Sequence, residues 1–363
     1  MDNIYAELEG KEYIAGIYDD YDIRMCREDE YEDLRSFFRQ HWRKDHIFVL
    51  SKEILDFQHL NKDAGTYNFV IAKEKKSNEI HAILGFVTTS QFDREIKRTM
   101  LWPCIWKKSD HINRKGLGVA LHYHLSKNFE IETIAALGIT ETALSIHKRW
   151  NYDIGKMEHF VMPNFKADDH LAKGLSGVYK SFDTDRKDDK VLMELSRKEY
   201  LSISADDPIF SVNSIYKSKG YYLNRFLNHP VYSYVFLGVL YQENIDAIIV
   251  GRCCGDGAGK CLRIVDFVGD VANIINVRNQ LQDYLQKNDY EYVDFVEVGL
   301  QKDILQSAGF INRRENDGVI VPNYFEPFLQ ENIDLDYAYK TVVSDSKEII
   351  FKADADQDRP NIL

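Results

Sequence analysis

Asn113-Arg114-Lys115-Gly116-Leu117-Gly118-Val119-Ala120 is the stretch that decides how this chain is read. It is a short basic turn with two glycines. An apolar run of β character, Met100-Leu101-Trp102-Pro103-Cys104-Ile105-Trp106, comes before it. Leu117, Leu121 and Leu125 come after it at i, i+4, i+8, the spacing of one helix face. A strand, a glycine turn and a helix start, in that order, make an anion site. The first-turn amides have no partner inside the helix, and the helix dipole places roughly half a positive charge there. Glycine lets the backbone approach a phosphate with no Cβ in the way. Arg114 and Lys115 add full charges in a chain whose formal net charge is −12. Taken alone, the turn is equally well read as an ordinary strand-to-helix loop.

About twenty residues on, a second apolar run, Thr133-Ile134-Ala135-Ala136-Leu137-Gly138, leads into Thr140 to Tyr152, where Ala143, Ile146, His147 and Trp150 share a helical face. The turn and this later helix together resemble the GNAT acyltransferase superfamily. Its members carry an Arg/Gln-x-x-Gly-x-Gly/Ala turn and then an Asn-x-x-Ala-x-x-Leu-Tyr-x-x-x-Gly-Phe helix. The match runs from Asn113 to Gly118 and from Thr140 to Tyr152, within a similarity covering roughly residues 20–160. It departs from the pattern at Asn113 (usually Arg or Gln), at Thr140 (usually Asn) and at Asn151 (usually Gly), where Asn tolerates a left-handed backbone. His147 falls where the family usually has its general-acid Tyr.

The resemblance implies an α/β protein with a mixed sheet, built as two tandem GNAT-like modules. The expected boundaries are an acyl-coenzyme A module at 1–165, a linker at 166–189, a second module at 190–345 and a tail at 346–363. In the first module the strands are expected at 21–26, 67–72, 80–88 and 99–106, with a helix at 29–43 and another at 52–60 whose N-cap is Ser51. In the second, strands are expected at 191–195, 234–240, 247–253, 262–268 and 292–296, and helices at 221–227, 276–286 and 300–308. Leu305 to Phe310 echoes the end of the first module's last helix. This second copy is diverged and lacks the pyrophosphate turn: Gly269-Asp270-Val271-Ala272-Asn273 puts an acid where a base is wanted, and like charges repel. A different α/β fold for this half stays open. Gly255 to Lys260 reads as a hairpin turn, since Cys261 takes the hydroxyl position of a phosphate loop.

For the site, the resemblance implies acetyl-coenzyme A, or another acyl-coenzyme A, held by Cys104, Ile105 and Trp106, by the turn Asn113, Arg114, Lys115, Gly116, Leu117, Gly118 and Val119, and by Thr140 and Ala143 of the later helix. His147 is the candidate general acid, because imidazole titrates near neutrality; packing on a half-buried helix face is its other reading. Asp93 is the second catalytic candidate. His41, His46 and His59, with Asp45 and Gln58 among them, are candidates for acceptor binding, against a plain polar loop. No metal is expected: His122 and His124 face different sides of a helix, and Cys253, Cys254 and Cys261 lack zinc spacing.

Composition bounds the rest. At 363 residues the length prior favours two domains, and 44% hydrophobic residues suffice for their cores. The acidic balance and the missing basic arm argue against a nucleic-acid partner. No apolar run reaches membrane-spanning length, the start of the chain lacks signal-peptide layout, and five irregularly spaced cysteines fit a reduced compartment, so membrane insertion is not expected and the cytoplasm is. The aromatic content permits a homodimer interface. The expected activity is transfer of an acyl group to a small amine, with a nucleotide-linked amino sugar of surface-polysaccharide synthesis as the acceptor implied by resemblance. A non-catalytic metabolite- or partner-binding relative and an aminoacyl-tRNA-dependent peptidyl transferase are the alternatives.

Overall fold

A computed structural model describes residues 12–97, 100–178, 187–342 and 348–360. The chain forms two compact units. The first comprises 1–155, 336–345 and 359–363; the second comprises 156–335 and 346–358.

The first unit opens with α1 (Glu12–Asp20) and β1 (Tyr21–Arg27), then α2 (Tyr31–His41), α3 (Ile47–Leu50) and α4 (Lys52–His59). Ser51 caps α4 as expected, its hydroxyl accepting from the Ile54 amide. The short β2 (Leu60–Asn61) precedes β3 (Thr66–Glu74), β4 (Ile80–Thr88) and β5 (Met100–Lys108). After them come α5 (Leu117–Asn128), β6 (Thr133–Leu137), α6 (Glu141–Arg149) and β7 (Asp153–Lys156). The sheet order is β1-β3-β4-β5-β6-β15-β7, where β15 (Asp336–Thr341) returns from the far end of the chain. Leu101, Leu117, Leu121, Leu125 and Ile134 join one core between α5 and the sheet.

β8 (Glu158–Pro163) comes after β7 with the single residue Met157 between them, and it pairs in the other sheet. One residue cannot close a hairpin between adjacent antiparallel strands, so β8 cannot fold back on β7. Phe160 and Met162 instead enter the second core. The second sheet takes β9 (Val191–Glu194), β10 (Tyr234–Tyr241), β11 (Asn244–Gly255), β12 (Lys260–Gly269), β13 (Tyr292–Val298), β14 (Ile311–Asn312) and β16 (Ile350–Phe351). Read from its other edge, its order β9-β10-β11-β12-β13-β8-β14 repeats the first position for position, with β8 where the first sheet has β15. Each half of the chain therefore supplies the sixth strand of the other half's sheet. The division expected at 165/166 lies instead at 155/156, because which sheet a strand joins is set by partners far away in the chain.

Parallel strands pair in the middle of each sheet, and only briefly. β5 and β6 pair at Met100↔Thr133 and Leu101↔Ile134 and then part. β12 and β13 pair from Leu262↔Val293 to Ile264↔Phe295. Beyond that point the tail enters this second fork. β16 pairs with Glu297 and Val298 of β13, and the Ala353 amide donates to the Val265 carbonyl of β12 at 3.0 Å. The segment expected to be a tail thus completes a sheet. Its acids are buried with partners: Lys217 Nζ donates to Asp266 at 2.7 Å and sits 2.5 Å from Asp354, all three side chains at most 2% exposed. The turn between β11 and β12 is a hairpin, as the sequence indicated.

Breaking a buried pair by removing one partner strands the other charge. Lys217→Ala is therefore expected to lower stability by about 3–5 kcal/mol in urea unfolding. An unchanged midpoint would show that Asp266 and Asp354 do not depend on the ammonium.

Candidate functional site

The basic glycine turn forms where β5 leads out of the fork. β5 and β6 pair only at Met100 and Leu101, so β5 runs without that partner from Trp102 onward and delivers the chain into 109–116. Gly116 is the N-cap of α5 with φ +81°, a left-handed conformation that costs other residues about 1–2 kcal/mol. Gly116 has no side chain to cap this helix. The Ala120 amide bonds the Gly116 carbonyl at 2.9 Å, which leaves Gly118 and Val119 as the orphan donors of the first turn among the described residues. Lys115 and Asn113 lie beside them, Lys115 exposed.

Several residues expected at this site are engaged otherwise. Arg114 turns away from the helix start: its Nη2 donates to the Gly16 carbonyl at 2.7 Å and lies 3.2 Å from Asp20, anchoring α1. Gly118 is small for a packing reason, since a Cβ there would stand 2.8 Å from the Trp106 indole nitrogen. Leu117 is fully buried in the core. Thr140 caps α6, its hydroxyl accepting from the Ala143 amide at 3.4 Å. Ile105 is buried opposite Gly85 of β4, and the half-buried Cys104 thiol donates to the Gly85 carbonyl at 3.6 Å. Asp93 accepts from the Glu95 amide and so serves a turn after β4.

His147 lies inside an aromatic cluster, with ring centroids 4.8 Å from Tyr152, 5.6 Å from Trp150, and 6.1 Å from Trp106 and from His122. Its Nδ1 is 2.8 Å from the Ala143 carbonyl. A carbonyl only accepts, so Nδ1 carries the hydrogen and Nε2 presents a lone pair. Burial lowers its pKa. At neutral pH this is a neutral imidazole with no proton on Nε2 to give, an arrangement that suits a packed core histidine better than a general acid. Asn151, at φ +55°, ends the helix in the left-handed conformation expected of it.

The three acceptor candidates separate. His41 stands with His111, rings 5.4 Å apart, and the Ser109 hydroxyl lies 3.4 Å from His41 Nδ1. His46 and His59 come together around Phe48, at 5.1 Å and 5.2 Å. Burial, with the nearby Arg359 cation, pushes both down to about 3. Arg359 was not foreseen as part of a site, because its hydrogen bond to Gln58 spans 301 residues and leaves no local signal.

The second copy shows why the matching turn is not an anion site. Gly269 has φ +85° like Gly116, but the Asp270 carboxylate accepts from the Ala272 amide. A carboxylate fixed on the first turn fills the place an anion would take. Among the described residues no three His, Cys, Asp or Glu side chains group to hold a metal, and no helix is long and apolar enough to cross a membrane.

No family model and no curated protein matches the sequence. Solved structures match its fold. A GCN5-related N-acetyltransferase from Anabaena variabilis superposes with a TM-score of 0.53 at 12% identity, over 89% of this chain and 73% of that one. A probable N-acyltransferase from Enterococcus faecalis gives 0.52 at 6% identity, with the same shares of each chain. The fold is accordingly a tandem GCN5-related N-acetyltransferase fold, two mixed α/β modules in one chain.

Histidines held neutral in the native state couple folding to pH. Unfolded histidine titrates near 6.5; His46 and His59 do so near 3 when folded. Below pH 6.5 the unfolded chain binds more protons, so the stability these groups contribute is present above 6.5 and lost as pH falls from there toward 3. At about 1.4 kcal/mol per group per pH unit, the two groups together are expected to lower stability by roughly 3 kcal/mol between pH 7.5 and pH 5.5, read as the difference in pH dependence between the wild type and a His46→Phe/His59→Phe variant. Equal pH dependence in the two chains would show that the two imidazoles protonate in place.

Proposed function

We propose that this chain is an acyl-coenzyme A-dependent N-acyltransferase acting on a small amine, with its reaction centre at the first fork. The observation that carries the reading is the early parting of β5 from β6. Past Leu101, the β6 side of β5 has no strand partner among the described residues. Backbone groups so placed suit a pantetheine arm and a polarised thioester carbonyl. The fork opens toward the orphan amides of Gly118 and Val119, where a pyrophosphate would find the helix dipole and Lys115. Cys104 and Trp106 line the diverging part of β5, and Asn113 edges the turn.

In the reaction, the amine nitrogen bonds to the acyl carbon as the thioester C–S bond breaks, and the proton lost by the amine ends on the coenzyme A thiol. Holding both reactants in line supplies most of the help such a step needs, with no covalent enzyme intermediate. The second copy has its own fork filled by 350–354 and its helix start occupied by Asp270, so it serves as a scaffold in this reading. The resemblance suggests a nucleotide-linked amino sugar as acceptor; no feature of the first unit favours that class over other amines. The cytoplasm fits the cysteine pattern and remains part of the proposal.

Calorimetric titration with acetyl-coenzyme A is expected to show one site per chain. Lys115→Glu, exposed and remote from the core, is expected to weaken binding about tenfold through charge reversal beside the phosphates. Gly118→Glu would be a poor test, since it strikes Trp106. Equal affinity in the Lys115 variant would move the phosphates away from this turn, and no binding by the wild type would sink the acyl-coenzyme A reading.

A further inference from the structure

Beside the fork the first unit holds two adjacent polar side chains whose needs are unmet. His59, at the end of α4, is fully buried, and its Nδ1 lies 3.1 Å from the Phe86 carbonyl. That carbonyl fixes the hydrogen on Nδ1, so Nε2 presents a lone pair. Nε2 is buried and has no hydrogen-bond partner among the described residues. Gln58 is 7% exposed, and Arg359 Nε donates to its Oε1 at 3.1 Å. A guanidinium only donates, so the amide oxygen is assigned toward Arg359 and the amide nitrogen is the other end. That Nε2 is also buried and unpartnered among the described residues. Buried polar atoms are nearly always hydrogen-bonded, and each exception calls for an explanation.

Their place in the fold supplies one. Phe86 faces Pro103 in the β4–β5 register, with a bulge between Gly85 and Phe86. Pro103 is two residues past Leu101, the last residue of β5 paired with β6. His59 is thus tied to the sheet at the level where the fork begins. The Phe48 and Phe69 rings flank it at 5.2 and 4.5 Å, and the Arg359 guanidinium lies 4.5 Å from the Phe48 ring centre.

We propose that Gln58 and His59 hold the acceptor at the fork beneath Arg359, and that this acceptor is a primary amine carrying a carboxylate, an amino acid. The inference rests on the acyl-transfer reading above. His59 Nε2 accepts an N–H from the amine, and Gln58 Nε2 donates to a carboxylate oxygen. The Arg359 cation attracts that carboxylate and disfavours an ammonium nearby, so the amine sits in the neutral form that attacks a thioester. His46 and His59 are themselves neutral and add no competing charge. All three of Gln58, His59 and Arg359 are positioning residues.

The test uses the full chain with acetyl-coenzyme A, following thiol release with three acceptor pools: the common amino acids, their carboxamides, and amino sugars. Amino acids are expected to exceed carboxamides at least tenfold in kcat/KM. Arg359→Gln should abolish that preference by raising KM for amino acids about tenfold with kcat little changed, and Arg359→Lys should restore part of it. Equal use of acids and carboxamides, turnover of amino sugars alone, or an Arg359→Gln variant with unaltered KM would overturn the proposal. Thermal unfolding with the amino-acid pool and no coenzyme provides a separate readout. A rise in melting temperature that His59→Phe abolishes supports the site, and no rise means that water alone satisfies Gln58 and His59. Loss of acetyl-coenzyme A binding would instead strike the acyl-transfer reading, so the two failures are distinguishable.

Discussion

The structure depends on how little two parallel strands pair at the centre of each sheet. A ladder that stops after two or three residues leaves backbone donors and acceptors facing a gap, and such groups are costly to bury unmatched. The two copies answer this differently. In the second, the chain's own segment 350–354 enters between β12 and β13, bonding both strands and bringing Asp354 to Lys217. In the first, no described segment does so between β5 and β6. The same geometry becomes packed core in one unit and the proposed reaction centre in the other.

Electrostatics at the two helix starts obeys the same division. Gly116 and Gly269 both take left-handed backbones after the strand that forms the fork. The residues next in the chain differ in charge: among the described residues nothing caps the amides of Gly118 and Val119 in the first unit, whereas Asp270 supplies its own carboxylate to the amide of Ala272. One acidic residue is enough to give a helix start its own cap, taking up the few N–H groups that an anion would otherwise draw on.

The histidines show how burial overrides residue type. His147 occupies a helix position that suggests acid catalysis, yet it is enclosed by Trp106, His122, Trp150 and Tyr152, with its one hydrogen committed to Ala143. His46 and His59 lie in a loop and a helix end that read as polar, and they are among the most buried residues of their unit. Desolvation holds all of them neutral. At ordinary pH these three imidazoles pack and can accept hydrogen bonds rather than carry charge.

What the sequence determined by itself was local. Period-2 and period-3.6 patterns located β4 at Ile80–Thr88, α5 after the glycine turn and α4 behind Ser51, because these elements form from interactions within a few residues. The left-handed Asn151, the β11–β12 hairpin and the acid in the second turn were legible for the same reason. Tertiary structure alone decided the rest. It exchanged β8 and β15 between sheets, drew the tail into the second fork, sent Arg114 to α1 and brought Arg359 to Gln58. The two arginine contacts span 98 and 301 residues. Nothing in the neighbourhood of either partner announces such pairings, because the free energy that selects them comes from burial and hydrogen bonding available only once the sheets have assembled.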